Sequence, residues 1–370
     1  MFTWLWVLTV IPALGFLVFI HELGHFLTAI RMGIKVEEFG FGYPPRMMTL
    51  FHWRGVPVTL NWLPLGGFVR MAGEEGNFDT EGSLAAAPPW KKIPVMAAGA
   101  FMNILAAIVI FGAVSMYDPL GAVTIRNVAP NSPAEAADLR SGDVIRAVDG
   151  TPVESTIVLR ELISQRQGQT TQLDIQRQDE QSGDTTFFVT VVPRTAEQAG
   201  PGGGLLGVGI DVPSDKMTGS RFVLNPFRAL AYGVQNTFTI FFQMLAGLGI
   251  LVGSLFGLTT TEIQGGVAGP VGIARMTGEV ARTGGFVSYL NWTALISVNL
   301  ALINLLPIPA LDGSRIVFAL VEWVRRGKRV SPEKEAMVHA FGMIALLGLM
   351  LLITFSDVRN IFLGRDPFGG

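Results

Sequence analysis

Apolar residues gather in this chain into long blocks instead of recurring at the spacing of a soluble helix or strand. Residues 4–30, 94–117, 288–324 and 336–355 are each long enough to cross a hydrocarbon layer about 30 Å thick at about 1.5 Å per helical residue. The pattern predicts about four transmembrane helices. A further block, 227–258, is rich in Phe and Leu but is interrupted by Arg228, Gln235, Asn236 and Gln243, so an amphipathic helix lying at the interface, the favoured reading, competes with a true span.

The polar intervals have patterns of their own. Between the first two blocks, Phe39-Gly40-Phe41-Gly42-Tyr43-Pro44-Pro45 and Trp62 to Val69 flank a strand-like Val56 to Leu60, which predicts β-hairpins dipping into the membrane. Extended backbone is tolerated at that depth only where protein or water covers it, so these segments are expected to line a cavity. From 118 to 195 short apolar strands alternate with turns: Val123 to Val128, Ser132 to Ala137 and Gly142-Asp143-Val144-Ile145, closing at Asp149-Gly150. Arg160 to Arg166 and Thr171 to Arg177 add a helix and a later strand. This order resembles a PDZ domain, although Pro119-Leu120-Gly121-Ala122 departs from the usual carboxylate-binding loop. Residues 196–225, with Gly200-Pro201-Gly202-Gly203-Gly204, read as connecting sequence.

Composition agrees with a membrane protein: 49% of residues are hydrophobic and 15% charged, and the mean hydropathy is +0.45. A net charge of −2 offers no basic field for nucleic acid. With no cysteine, disulfides, thiolate ligands and a cysteine nucleophile are excluded, leaving His, Asp and Glu to hold a metal. Arg31, Lys35, Arg46, Arg54, Arg70, Lys91 and Lys92 follow the first block, and Arg325, Arg326, Lys328, Arg329 and Lys334 precede the last, so both segments should be cytoplasmic. The 118–225 region then faces the other side. No basic n-region or small-x-small site precedes the first block's polar motif, so that block reads as a retained span.

That motif is His21-Glu22-Leu23-Gly24-His25. On a helix, positions i and i+4 share a face, so two imidazoles can hold one zinc while Glu22 reaches a water beside it. Ionisable groups near a bilayer centre cost about 2.5–3.5 kcal/mol each on insertion scales and mark function by default. A catalytic zinc needs a third protein ligand. Glu37 and Glu38 are close in sequence but follow the span in a charged stretch. Asp312 is the better candidate, because it ends Asn304-Leu305-Leu306-Pro307-Ile308-Pro309-Ala310-Leu311-Asp312 in a later apolar block whose prolines break regular helix. His52 and His339, each alone in its segment, read as structural or surface residues.

The pairing of H-E-x-x-H with N-x-x-P-x-P-x-L-D-G resembles the site-2 protease family of intramembrane zinc metalloproteases, in particular its bacterial branch with an inserted PDZ domain. Gly40-Phe41-Gly42, Pro64 to Phe68 and Gly269-Pro270-Val271-Gly272-Ile273 also match family segments in order, so the resemblance spans nearly the whole chain. It implies a multi-span α-helical membrane protein divided into 1–117 (first half of the membrane core), 118–195 (an extracytoplasmic PDZ domain), 196–287 (connector) and 288–370 (second half).

The implied activity is that of a zinc metalloendopeptidase of the bacterial inner membrane, with its site toward the cytoplasm. It would hold one Zn²⁺ by His21, His25 and Asp312, use Glu22 as general base and place Asn304 on the substrate backbone. Gly66, Gly67, Phe68 and Phe41 would offer a strand edge to an unwound substrate. The implied substrates are single-span proteins already shortened by another protease, such as anti-sigma factors or signal-peptide remnants, with a C-terminal peptide at the PDZ domain, lipid as surroundings and a monomer sufficient. A PDZ scaffold without catalysis, a zinc transporter and a zinc enzyme acting on lipid are the competing readings.

Overall fold

The apolar blocks become helices, and where proline or glycine interrupts them the helices stop or bend. In the computed structural model, residues 4–73, 81–179, 183–199, 204–257, 269–328 and 330–363 are described. A 3₁₀ turn at Trp4–Thr9 leads into α1 (Val10–Met32), followed by β1 (Val36–Trp53), β2 (Val56–Met71) and α2 (Pro89–Ser115). Next come β3 (Tyr117–Gly121), β4 (Val123–Val128), the single turn α3 (Pro133–Ala136), β5 (Val144–Val148), β6 (Thr151–Pro152) and α4 (Thr156–Ser164). They are followed by β7 (Thr171–Asp179), β8 (Gly183–Val191), the short α5 (Ala196–Ala199), β9 (Val208–Asp211) and β10 (Met217–Phe222). Then α6 (Pro226–Leu255), α7 (Pro270–Leu305), α8 (Asp312–Val324) and α9 (Pro332–Phe362) complete the order. The chain divides into two units, Met1–Phe111 with Gly233–Gly370, and Gly112–Tyr232.

Among the described residues, five helices are long and apolar enough to cross a membrane, one more than expected: Leu5–Met32, Pro89–Ser115, Pro226–Ser254, Pro270–Leu305 and Glu333–Phe362. The additional one is α6, expected to lie at the interface. It runs unbroken for 30 residues, because Gln and Asn side chains weaken apolarity without breaking the backbone hydrogen-bond ladder. The 288–324 block also differs from the single span expected. Pro307 and Pro309 cannot continue a helix, so α7 ends at Leu305 and the 13-residue α8, about 20 Å long, starts afresh at Asp312. Toward its other end α7 extends back to Pro270 and is bent at Gly285 (φ 67°), where Trp292 Nε1 donates to Thr277 Oγ1 across the bend at 2.9 Å.

Within the first unit, β1 and β2 form one antiparallel hairpin. Its two-residue turn, Arg54-Gly55, has φ of 51° and 83°, the primed geometry that matches strand twist. One face packs on α1 and α2 through Phe26, Ala29, Val36, Phe39, Val58, Val69, Val95 and Met96, which are all buried.

In the second unit a sheet ordered β8-β7-β5-β4-β9, with β6 on β5, encloses Val123, Ile125, Ile145, Leu159, Leu173 and Ile175. Strand β9 comes from the stretch expected to be connecting sequence, of which Gly200 to Gly203 lie outside the described residues. Helix α4 is capped by Ser155, whose Oγ accepts from Val158 N. The Gly142-Asp143 step has a clear physical reason. Asp143, 1% exposed, accepts from Arg177 Nε (2.6 Å) and Nη2 (2.8 Å) and from Arg140 N (2.8 Å). The same carboxylate pushes the Arg177 guanidinium pKa up. Replacing Arg177 by Met leaves that carboxylate buried without its cation, at an expected cost of about 3 kcal/mol. Hydrogen exchange on the intact protein should show protection lost across β5 and β7, and unchanged protection would show that the pair contributes little.

Candidate metal centre

The His21 to His25 motif lies on the inward stripe of α1, where Ala13, Leu17, His21, Gly24, His25 and Ala29 are buried. One turn apart, the two imidazoles meet edge to face with their Nε2 atoms 3.1 Å from each other. Asp312 Oδ2 lies 3.0 Å from His21 Nε2 and 3.2 Å from His25 Nε2. Residues 291 positions apart are thus brought to one point. Among the described residues these three form the cluster able to hold a metal ion.

Glycines allow this closeness. A Cβ on Gly24 would sit 2.4 Å from Ala98 O, so the backbones of α1 and α2 touch at the motif itself. A Cβ on Gly99 would sit 2.5 Å from the Nε2 atoms of both His21 and His25, so only glycine lets α2 cover the donors. A Cβ on Gly313 would sit 2.1 Å from Leu306 O, and its absence lets the start of α8 fold against the end of α7.

The ring nitrogens facing away from the cluster are also answered. His25 Nδ1 donates to Val95 O at 2.7 Å, which leaves the Nε2 lone pair for a metal. Asn103, fully buried one turn after Gly99, sets its carboxamide 3.3 Å from His21 Nδ1. With Nε2 on a metal, Nδ1 carries the proton and donates to the Asn103 carboxamide oxygen, which a half-turn of the amide brings to it. Ser297 of α7 donates to the Asn103 backbone carbonyl at 2.7 Å. Gly99 and Asn103 were not singled out from sequence; the available signal was a small residue and an amide at i and i+4 within an apolar block.

A cavity of about 240 Å³ opens beside the donors, lined by Val18, His21, Glu22, Asn103, Leu300, Asn304 and Ala310 to Asp312. Glu22 and Asn304 therefore share it with His21 and Asp312, two of the three candidate ligands. Glu38 lies elsewhere, buried in the hairpin and paired with Arg46 (2.7 Å) and Arg70 (3.2 Å) while accepting from Thr59. Phe41, Gly66, Gly67 and Phe68 do not line the cavity. They pack one layer away: Phe41 stacks on Phe19 with centroids 4.4 Å apart, and a Cβ on Gly66 would strike Val18 at 2.6 Å.

A multi-span helical protein with an H-E-x-x-H helix, a carboxylate placed as a third ligand and a cavity beside them has the features of a membrane-embedded metallopeptidase. The peptidase family M50 model matches residues 9–349. The chain is 34% identical over 362 residues to the CPE1693 protein of Clostridium perfringens, covering 96% of this chain and 98% of that one. It is 29% identical over 439 residues to zinc metalloprotease RasP of Geobacillus kaustophilus, covering 96% and 98%. It is 28% identical over 441 residues to the regulator of sigma-W protease RasP of Bacillus subtilis, covering 96% and 99%. This chain belongs to peptidase family M50 and is an intramembrane zinc metalloprotease.

The donor set fits zinc. A tetrahedral zinc with ligand bonds of about 2.0–2.1 Å holds its donors about 3.3 Å apart, and the three separations here are 3.0, 3.1 and 3.2 Å. Gly99→Ala would push a methyl into both imidazoles. Overpacking of this kind costs about 1–3 kcal/mol, so zinc affinity should fall roughly tenfold or more in chelator competition. Parental affinity would mean that α2 can withdraw without cost.

Proposed function

We propose that His21, His25 and Asp312 hold the single zinc ion of this protease and that Glu22 is its general base. The donor triangle carries this reading: two imidazoles and a carboxylate converge on one point, and two of the three, His21 and Asp312, line a cavity that Glu22 also lines. Three protein ligands leave one tetrahedral position for chemistry. When bound, zinc polarises the scissile carbonyl and makes water acidic enough to attack near neutral pH. Glu22 takes the proton of the attacking water and delivers it to the leaving nitrogen. The peptide C–N bond is replaced by C–O, giving a carboxylic acid and an amine.

A substrate helix in lipid has all its peptide groups internally paired, so it must be unwound before attack. Asn304 has the donors and the acceptor to take up an unwound backbone beside the scissile bond. Strand β2, at Gly66, Gly67 and Phe68, and β1, at Phe41, would supply replacement hydrogen bonds by strand addition. Their support is position: β2 runs against Val18 and Phe19, immediately before the motif on α1.

Single-span membrane proteins are the proposed substrates, cut after an earlier cleavage has shortened them. The relative named regulator of sigma-W protease supports a role in releasing transcription regulators; signal-peptide remnants fit the same chemistry. Residues 118–195, within the Gly112–Tyr232 unit, are proposed to be the PDZ domain on the extracytoplasmic side, admitting substrates by size or by a free C-terminus. Its support is the succession of β4, α3, β5, α4 and β7 in the expected order. The flanking basic residues support a metal lying nearer the cytoplasm.

Glu22→Gln keeps the shape of the site and removes the base. Cleavage of a single-span reporter lacking its ectodomain should fall about 10²- to 10⁴-fold while zinc content holds. A zinc-loaded variant cutting at the parental rate would refute the base assignment.

A further inference from the structure

Helix α9 turns most of its surface outward: Met337, Phe341, Ile344, Leu351 and Leu352 are all exposed. Two residues on its inward face touch the loop that delivers Asp312. His339 Nδ1 accepts from the backbone N–H of Ala310 at 3.1 Å. At Gly342, less than one turn later, a Cβ would meet Pro309 Cβ at 2.1 Å, so the bare helix backbone lies directly on the proline. Phe318 of α8 flanks the same imidazole, with ring centroids 5.6 Å apart.

Ala310 has φ of +77°, a left-handed conformation unfavourable for a residue with a Cβ. Such a conformation persists only where the surroundings enforce it. The single bond from His339 falls on that residue's own amide, two positions before Asp312. With Pro307 and Pro309 lacking amide hydrogens, few donors are left by which the loop can be held. An apolar residue at 339 would leave the Ala310 N–H without its acceptor, and the loop would relax to a conformation that points Asp312 elsewhere.

We infer that His339 is a positioning residue of the metal centre, fixing the Pro307 to Leu311 loop so that the Asp312 carboxylate meets His21 and His25. The inference rests on Asp312 being a zinc ligand. It assigns α9 a purpose beyond spanning the membrane: it is the wall against which the third ligand is set.

The test uses the full chain in detergent, comparing His339→Leu, His339→Asn and Asp312→Ala with the parent. Zinc affinity is measured by chelator competition, and hydrogen exchange of the Leu306 to Leu311 segment is measured on the metal-free protein. The Asn carboxamide oxygen can replace Nδ1 as acceptor, whereas Leu cannot. His339→Leu should weaken zinc binding about 10- to 100-fold, the range found for partners behind metal ligands, and should speed exchange in the segment before metal is added. His339→Asn should stay within about threefold of the parent on both readouts. Parental zinc affinity in His339→Leu, or an equal loss in His339→Asn, overturns the inference. If Asp312→Ala keeps zinc, the ligand assignment itself fails; if it loses zinc while His339→Leu does not, the positioning role alone fails.

Discussion

A low-dielectric membrane interior does not tolerate an unanswered polar group, and the metal centre is organised around that rule. The imidazoles that face the ion site are each answered on the reverse side, His25 by Val95 O and His21 by Asn103. Asp312 is answered by the imidazoles and by the ion they would share. The consequence reaches beyond the ligands. Because helix α2 supplies both reverse-side partners, it must lie in van der Waals contact with α1, and this is possible only through Gly24 and Gly99. The two glycines and the two histidines are therefore one design: a side chain at Gly24 would push the α2 backbone away, and one at Gly99 would put a methyl against both donor nitrogens.

The same rule joins the two halves of the membrane unit. Lys92, near the start of α2, pairs with Glu322 on α8 at 2.9 Å, and both side chains are largely buried. A buried pair of this kind contributes little net stability, but neither charge can leave without stranding the other. It therefore fixes a register, holding the helix that begins with Asp312 against the helix that covers the histidines. At the far end Asp357 of α9 accepts from Gly272 N, covering a free amide at the start of α7. Ser297 of α7 in turn donates to the backbone of Asn103. Each element that bears a ligand is held by a polar contact to another, in a solvent where such contacts are hard to exchange.

What was legible in the sequence follows from how local each signal is. The i, i+4 spacing of His21 and His25 needs one helix, and the apolar block announces that helix. Asp312, which the structure brings beside His21 and His25, was singled out because two prolines forbid helix at the right place in a second block, a statement again about local backbone. Four of the spans were legible for the same reason. Helix α6 was read as interfacial because scattered amides lower its apolarity, yet they leave the backbone hydrogen bonding intact and the helix is long and apolar enough to cross. Gly99 and Asn103 were passed over because their meaning is relational: a glycine matters when an imidazole stands 2.5 Å from where its Cβ would be. His339 reads as an isolated histidine until the loop it holds is known. The substrate strand assigned to Phe41 and Gly66 to Phe68 shows the opposite tendency, since these residues also have packing against α1 to account for them.

The position of the proposed third ligand reflects a conflict between reach and order. A carboxylate in the middle of α7 would be rigid but confined to the direction its helix allows, whereas one on an ordinary loop could reach the histidines but would expose unpaired backbone at membrane depth. The chain resolves this with a very short irregular segment. Pro307 and Pro309 remove two backbone donors that would otherwise need partners, Gly313 lets the next helix begin in contact with the last, and Asp312 falls in the first turn of α8, where the helix dipole favours a negative charge. The loop needs few hydrogen bonds because few donors are left, and Ala310, in its left-handed conformation, keeps one of them. A helix otherwise turned outward meets that amide with an imidazole, so the least regular segment of the membrane unit is held at the point closest to the ligand it carries.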